Sequence, residues 1–379
     1  MCLKRNDYSL YGFWRPADKE NLKYFSAVAY YFARALQDNL QVPVGVVGCC
    51  WGGSRSCCWM DRDTLEKCGP VWIEDYERGL EQITDPEKCM EEYFSNPMMD
   101  SAQPFNEIRN RLMKGVSPDE LQEILAGMGE GCFAIGPWNE WRPNALYEWM
   151  LKTIIPFTFR GVIYYQGESD EDHPEIYADM LEAQIKLWRR EFGEELPFIM
   201  TQLVPLGEVI GQGGKYFPAL REQQEMAARR LANVWCASTG DAGDYEDIHP
   251  KRKYPVGKRL ALLARGHVYG ETVLCDAPEG TEMFREGDDL VIECSGAEGG
   301  LYVAGEEVNA LVITDEAGGT VPETEYEILV SAEQIRIHFM APLSGIPYTV
   351  RFAKTPYYEV NLYNMAGIPM KPFEITETR

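Results

Sequence analysis

The chain has 379 residues, of which 45% are hydrophobic and 25% charged, so it is long enough for two or three domains and too apolar to be mainly disordered. Acidic residues outnumber basic ones by 60 to 36, giving a formal net charge of −24. A field of this sign argues against nucleic acid and anionic membrane surfaces as partners, and it favours a neutral or weakly charged ligand.

The first predicted elements are a helix and a strand. Ser26 is suited to cap a helix that runs to about Asn39. The run from Val42 to Gly48 is apolar and predicts a buried strand. In the turn that follows, Gly52 and Gly53 would let the backbone approach a ligand closely.

The segment 65–138 is polar and has helical periodicity. Helices are predicted over 75–93 and 118–128. We interpret the segment as a helical insertion that covers the carboxyl edge of a sheet and shapes access to it. A further helix is predicted to begin near Arg142 and to lead into the next strand.

That strand, Val162 to Tyr165, consists of β-branched and aromatic residues and stops where Gly167 allows a turn. Gln166 and Glu168 therefore lie at its carboxyl end. Pro174 then opens an amphipathic helix that runs to about Phe192. Ligands bind at such strand-to-helix turns in open α/β sheets, so this turn is a candidate site.

The α/β pattern continues with strands over 197–204 and 234–239, a glycine-rich loop at 211–214, and helices over 220–232 and 256–268. This alternation predicts parallel βαβ units in a three-layer α/β domain, residues 1–270. Beyond Gly270 only short alternating segments remain, at 289–294, 301–303, 326–329, 334–339 and 348–352. They predict a C-terminal all-β, sandwich-like domain, residues 271–379.

The 11 cysteines include the adjacent pairs Cys49-Cys50 and Cys57-Cys58, and no C-x₂-C pair is repeated at zinc-finger spacing. This usage predicts buried free thiols in a reducing compartment. No apolar run has the length of a membrane span. The cytoplasm is the expected location, and an export signal upstream of Met1 would escape this reasoning.

Four histidines could carry a proton near neutral pH. His338 in a strand and His267 in a helix fit packing or surface roles, and His173 fits a helix start. His249 follows a strand end, with Asp247 two residues before it. A carboxylate beside a histidine can orient the ring as a general base for an alcohol nucleophile.

An oxyanion can be stabilised by uncharged N–H groups that donate hydrogen bonds to it. The candidates are the backbone N–H groups of Gly52 and Gly53 and the side-chain amide of Gln166. The alternatives are a tight turn for the glycines and a satisfied core amide for Gln166. Ser54 follows the two glycines, but G-G-S is not the G-x-S-x-G of a nucleophile elbow. Ser169 fits a turn residue that caps the next helix.

Four blocks of sequence together resemble the sialate O-acetylesterases of the SGNH hydrolase superfamily. The blocks are Gly48-x-x-Trp-Gly-Gly-Ser54, the run ending in Gln166-Gly-Glu-Ser169, Leu220-Arg-Glu-Gln223 and Asp247-Ile-His-Pro-Lys251. The resemblance implies a flavodoxin-like sheet carrying a serine esterase for O-acetylated sugars, with no cofactor and no metal.

The same resemblance implies roles for individual residues. His249 would be the catalytic base with Asp247 as its acidic partner, and Gly53 and Gln166 would donate to the oxyanion. Glu168, Gly52, Ser54 and Arg221 would contribute to substrate binding.

One part of the family pattern is missing. The nucleophilic serine of the family lies in a Gly-Gln-Ser-Asn block upstream of the Ser26 helix, and the sequence contains no such block. If Met1 is the true start, we expect little or no esterase activity. Two alternatives remain: a non-catalytic carbohydrate-binding protein that kept the pocket, and a glycoside hydrolase using carboxylates such as Glu168 and Asp247.

Overall fold

A computed structural model of the chain describes residues 14–95, 117, 119–120, 122–123, 134–209, 212–343 and 347–377. The chain divides into two compact units. The first lies within Met1–Phe25, Gly48–Phe159 and Ile176–Glu195, and the second lies within Ser26–Val47, Arg160–Glu175 and Leu196–Arg379. In these described ranges, no helix combines the length and apolar character needed to cross a bilayer. The predicted helix over 118–128 falls largely outside the described residues.

The longer helices are numbered here in chain order. They are α1 (Ala27–Leu40), α2 (Arg62–Cys68), α3 (Pro70–Glu81), α4 (Pro86–Ser95), α5 (Tyr177–Phe192), α6 (Phe217–Arg230) and α7 (Lys253–Leu263), with π-helical turns at Tyr147–Leu151 and Ala264–Val268.

The strands are likewise numbered in chain order. They are β1 (Val162–Tyr164), β2 (Phe198–Thr201), β3 (Glu208–Val209), β4 (Gln212–Gly213), β5 (Val234–Ala237), β6 (Glu279–Glu286), β7 (Asp289–Ser295), β8 (Leu301–Val303), β9 (Leu311–Thr314), β10 (Tyr326–Ser331), β11 (Gln334–Phe339), β12 (Thr349–Phe352), β13 (Leu362–Asn364) and β14 (Phe373–Thr376).

The first unit is helical where it is described. Its helices are joined by buried indoles: Trp72 Nε1 lies 3.1 Å from the sulfur of Met180, and Trp188 Nε1 donates to the carbonyl of Trp59. The single helix predicted over 75–93 is wrong, because it is two helices, α3 and α4. Pro86 cannot continue a helix but is favoured in the first turn of a new one, so α4 begins there.

The second unit contains a parallel three-stranded sheet in the order β1-β2-β5. Its strands are in register, with Val162 opposite Phe198 and Phe198 opposite Val234. Helix α1 begins as predicted, with Ser26 accepting from the backbone of Ala29. It packs against α7 at Gly257, where a Cβ atom would lie only 2.7 Å from the carbonyl of Val28.

The strand predicted from Val42 to Gly48 is wrong. Val42 lies in a bend, residues 43–48 form no regular secondary structure, and the whole segment is exposed or half-exposed. A strand exists only where a neighbour takes its backbone hydrogen bonds. Among the described residues no strand pairs with this segment, and apolar composition alone could not reveal that.

The C-terminal part of the second unit is all-β, as predicted. Strands β10-β11-β7-β6 form an antiparallel sheet, beside sheets β14-β12-β9 and β13-β8. Their shared core includes Val350 and Phe352, both fully buried. The sequence pattern missed β6, β9, β13 and β14, which are short or carry many charges. The boundary at residue 270 stays a prediction, since one compact unit holds both parts.

Candidate functional site

The carboxyl edge of the parallel sheet collects polar side chains. Gln166 follows β1, Gln202 follows β2 and Thr239 follows β5. Thr239 Oγ1 donates to the carbonyl of Gln202 over 2.6 Å. From α6, Gln224 Nε2 donates to the carbonyls of Gln166 and Thr201, at 3.2 and 3.3 Å, so it ties the first two strand ends together. Sequence reasoning did not single out Gln224, although it adjoins the Leu220 to Gln223 block.

The Gln166 side chain is held by two neighbours. Its Oε1 accepts from the hydroxyl of Tyr164 at 3.1 Å, and its Nε2 donates to the buried carboxylate of Asp170. The amide orientation is therefore fixed from both ends. Its part as an oxyanion donor stays a prediction.

Glu168 lies in a turn that begins at Gly167, whose φ of 140° suits glycine alone. Burial raises the pKa of the Glu168 carboxyl, and the nearby Asp170 charge raises it further. A backbone hydrogen bond and the ammonium group of Lys253 act in the opposite direction. Groups that raise the pKa of Glu168 and groups that lower it therefore meet at the end of β1.

The loop that carries His249 is ordered by aspartates. Asp244 Oδ1 accepts from the backbone of Glu246 and Asp247, and Asp247 Oδ1 accepts from the backbone N–H of His249 at 2.8 Å. Asp247 thus fixes the main chain of His249. The His249 side chain is exposed, and the described residues place no hydrogen bond on its ring.

Behind this loop, the Asp241 carboxylate forms a two-pronged ion pair with Arg259 of α7, at 2.6 and 2.8 Å. Arg252 also donates to the Asp241 carbonyl at 2.7 Å. Such paired bonds fix geometry as well as charge. They anchor both ends of the segment from Asp241 to Arg252.

Lys253 connects the His249 loop with the end of β1. Its ammonium group lies over the Tyr165 ring, and it interacts with the carboxylates of both Glu168 and Asp247. Burial lowers the pKa of Lys253, and these two carboxylates oppose that shift. Sequence reasoning missed this residue. The sequence feature that could have identified Lys253 is the basic run Lys251-Arg252-Lys253, which directly follows an acidic loop.

The diglycine turn belongs to the first unit. Gly53 has a φ of 70°, the left-handed conformation, and the carbonyl of Gly52 accepts from Trp141 Nε1 at 3.0 Å. Ser54 is 6% exposed, donates to the carbonyl of Trp51 and accepts from Trp59 Nε1. The Ser54 hydroxyl therefore stabilises the conformation of the turn. A shared site for these residues with His249 stays a prediction.

Arg221 lies in the interior, 1% exposed. Its guanidinium donates to the carbonyls of Leu203, Val204, Thr355 and Pro356 at 2.8 to 3.2 Å. These bonds join the end of β2 to the segment after β12, which is a structural role. The contact with substrate expected from the resemblance stays a prediction.

The first unit also contains a cleft of about 420 Å³. Its walls combine aromatic and polar side chains, including Arg55, Trp72, Tyr76 and Trp141. The Arg55 guanidinium lies 4.8 Å from the Trp72 ring centroid. Apolar walls with a few polar groups are usual for small-molecule sites. Trp72 and Tyr76 come from the predicted helical insertion.

The remaining histidines lie elsewhere. His173 Nδ1 is 3.7 Å from the Glu175 carboxylate near the start of α5. His338 pairs with Asp289 on β7 at 2.7 Å. His267 stacks on Trp235, with ring centroids 4.7 Å apart. The nine described cysteines are free thiols, but only five of them are buried as predicted, and Cys50 is exposed.

Comparisons with known proteins agree with the motifs. Residues 125–264 match the family described as carbohydrate esterase, sialic acid-specific acetylesterase. The chain is 28% identical to the mouse sialate O-acetylesterase over 269 residues, 66% of this chain and 44% of that protein. It is 25% identical to the human sialate O-acetylesterase over 280 residues, 68% of this chain and 43% of that protein.

A solved structure of a carbohydrate acetylesterase from Xanthomonas citri is also similar. It has a TM-score of 0.66 and 26% identity, covering 98% of this chain and 70% of that one. In sequence and in fold the chain is thus similar to carbohydrate esterases. Among the proteins of that kind, it is similar to the sialate O-acetylesterases over 66 to 68% of its own length. It spans a little under half the length of the curated relatives it matches.

Proposed function

We propose that this chain contributes the base-bearing part of a carbohydrate O-acetylesterase that works by serine chemistry on an SGNH-type, flavodoxin-like domain. The observation that carries the proposal is the link between two motif loops, in which the Lys253 ammonium group lies 4.8 Å from the centroid of the Tyr165 ring, next to Gln166. Similarity to the sialate O-acetylesterases supports the reaction class. The proposed domain layout is residues 1–270 with an insertion at 65–138, followed by a β-domain at 271–379.

In the proposed reaction, a serine oxygen attacks the acetyl carbonyl while His249 accepts the hydroxyl proton. Gln166 and Gly53 would donate hydrogen bonds to the resulting oxyanion. His249 then returns the proton to the sugar oxygen as the C–O bond breaks. Water, activated by the same imidazole, attacks the acyl-enzyme, and acetate and the free serine are released.

The exposed His249 ring suits this proposal because a general base must reach both the nucleophile and water. The hydrogen bond from the His249 backbone N–H to the Asp247 carboxylate supports a fixed main-chain position for this residue. The nucleophile would come from a Gly-Gln-Ser-Asn block, which the 379 residues do not contain.

Glu168, Gly52, Ser54 and Arg221 are proposed to shape the sugar site, Ser54 and Arg221 by holding the backbone around it. Acidic side chains dominate the His249 loop, with Asp244, Glu246 and Asp247 in sequence. This charge favours a neutral acetylated sugar over the sialate anion.

The experiment measures acetate release from an O-acetylated sialic acid and from an O-acetylated neutral sugar. It uses the purified chain and the same chain extended by any in-frame upstream coding sequence that carries Gly-Gln-Ser-Asn. We expect little acetate from the chain alone, release by the extended protein, and loss of that release in its His249→Ala variant. Full activity of the His249→Ala variant would refute the assignment.

A non-catalytic carbohydrate-binding protein is the second candidate, favoured by the missing serine block. It predicts that the purified chain binds the acetylated sugar in calorimetry, while neither form releases acetate. Cleavage of a glycosidic bond instead of the ester would support the glycoside hydrolase alternative, in which Glu168 and Asp247 act as the carboxylate pair.

A further inference from the structure

A cluster of three different metal-binding side chains lies at the end of α7 and in the linker that enters β6. His267 is on the π-helical turn Ala264–Val268, and Cys275 and Asp276 are in the linker. One atom from each, a nitrogen, a sulfur and an oxygen, lies within 4.8 Å of the other two.

We propose that His267, Cys275 and Asp276 bind one zinc ion, with water completing a tetrahedron. The Cys275 sulfur is 3.5 Å from His267 Nε2 and 3.7 Å from Asp276 Oδ2. A tetrahedral zinc ion with ordinary bond lengths places such ligand atoms about 3.3 to 3.6 Å apart. His267 Nε2 is 2.9 Å from Asp276 Oδ1, so this one pair would open by a few tenths of an ångström.

The choice of ring nitrogen distinguishes this cluster from a catalytic triad. In a thiol–imidazole–carboxylate triad, the nucleophile and the carboxylate bind opposite nitrogens of the ring. Here the Cys275 sulfur and the Asp276 carboxylate both face Nε2. Three donors that converge on one point are the arrangement a metal requires.

The local backbone brings these side chains together. A Cβ atom at Gly266 would lie 2.4 Å from the Cys275 sulfur, so only glycine allows the linker to approach the turn this closely. Stacking on Trp235, with rings 10° from parallel, fixes the His267 ring. On the linker side, Asn364 donates to the Asp276 carbonyl at 2.9 Å.

The chemistry of the donors favours zinc over magnesium or calcium. Thiolate and imidazole are preferred ligands of Zn²⁺, whereas the two hard cations require oxygen ligands. Cys275 is 7% exposed, while the His267 and Asp276 side chains are 27% and 54% exposed, so an ion can enter from solvent. A bound ion would join the end of α7 to the start of the β-domain.

The test is titration of the apo-protein with Zn²⁺ alone by calorimetry, and with Co²⁺ as a spectroscopic probe. We expect one Zn²⁺ per chain, a thiolate-to-cobalt absorption band, and a melting temperature raised by Zn²⁺. His267→Ala, Cys275→Ser and Asp276→Asn should each weaken binding about tenfold or more. Asp276 is exposed, so its variant keeps the test valid if another variant fails to fold.

Two matched controls separate this site from adventitious binding. Cys50→Ser removes an exposed thiol, and His338→Ala removes a histidine that pairs with a carboxylate without a thiol nearby. Both should bind Zn²⁺ like the parent chain. Absence of Zn²⁺ binding by the parent chain, or binding that survives all three site variants, would overturn the proposal.

Discussion

The ammonium nitrogen of Lys253 lies 4.8 Å from the centroid of the Tyr165 ring. Tyr165 directly precedes Gln166, and Lys253 begins the helix that follows the His249 loop. A single cation–π contact therefore joins two motif loops that are more than eighty residues apart in the sequence. The same ammonium group interacts electrostatically with the carboxylates of Glu168 and Asp247.

Lys253 and Glu168 should be energetically coupled. We expect the effects of Lys253→Met and Glu168→Gln on the free energy of unfolding to be non-additive, with a coupling energy of about 1 kcal/mol, because the two charges interact. Urea denaturation of the four proteins of the cycle measures it. Lys258 is the matched control, because it also lies over a ring, that of Tyr254, on the exposed side of α7. Lys258→Met should be additive with Glu168→Gln, and an equal coupling there would contradict the interpretation.

The stability contributed by Glu168 should fall as the pH rises. Its folded pKa is raised, mainly by burial, above the ordinary value of about 4.3 for an unfolded glutamate. Below that pH, Glu168 is protonated in both the folded and the unfolded state, so its ionisation does not lower the stability. Between the unfolded and the folded pKa, the unfolded state loses its proton first, so ionisation favours unfolding.

Glu168→Gln removes this titration, so its melting temperature relative to the parent chain should rise from pH 4 toward neutral pH. Thermal unfolding monitored by circular dichroism across that range gives the difference. A difference that is flat with pH for Glu168→Gln would show that burial does not perturb this carboxyl.

Gly53→Ala should destabilise the diglycine turn and Gly52→Ala should not. Gly53 has a φ of 70°, which costs a residue with a Cβ atom about 1 kcal/mol, and the nearest atom to that Cβ, Trp141 Nε1, is at an ordinary 3.5 Å. No atom lies within 4 Å of a Cβ at Gly52. Denaturant unfolding of both variants measures the contrast. Equal losses would assign the cost to something other than backbone conformation.

Arg221→Met should destabilise the chain by about 3 kcal/mol, because four buried carbonyl groups lose a charged donor at once. Arg229 on the same helix is the control. Its side chain is 62% exposed and pairs with Glu279, so Arg229→Met should cost less than about 1 kcal/mol. Chemical denaturation separates the two. A small loss for Arg221→Met would instead favour the substrate-binding role.

The sequence by itself determined the α/β character of the chain, its all-β C-terminal part and its resemblance to the sialate O-acetylesterases. Alternation of short apolar runs with amphipathic helices predicted β1, β2 and β5 and the helices between them, because those periods are set by local geometry. The motifs around Gln166 and His249 identified the loops, because strand ends expose short polar segments. Such local patterns do not show which strands pair. The apolar run from Val42 to Gly48 has the composition of a strand, yet no described strand pairs with it.

Only the tertiary structure decided which side chains meet. Lys253, Gln224 and the convergence of His267, Cys275 and Asp276 depend on contacts between segments distant in the chain, and no local period encodes them. Arg221 and Ser54 show the same limit. Their residue types fit a substrate site, and only the structure adds their burial and their hydrogen bonds to the backbone. Burial and pairing are properties of the assembled chain, so they emerge only when the elements pack.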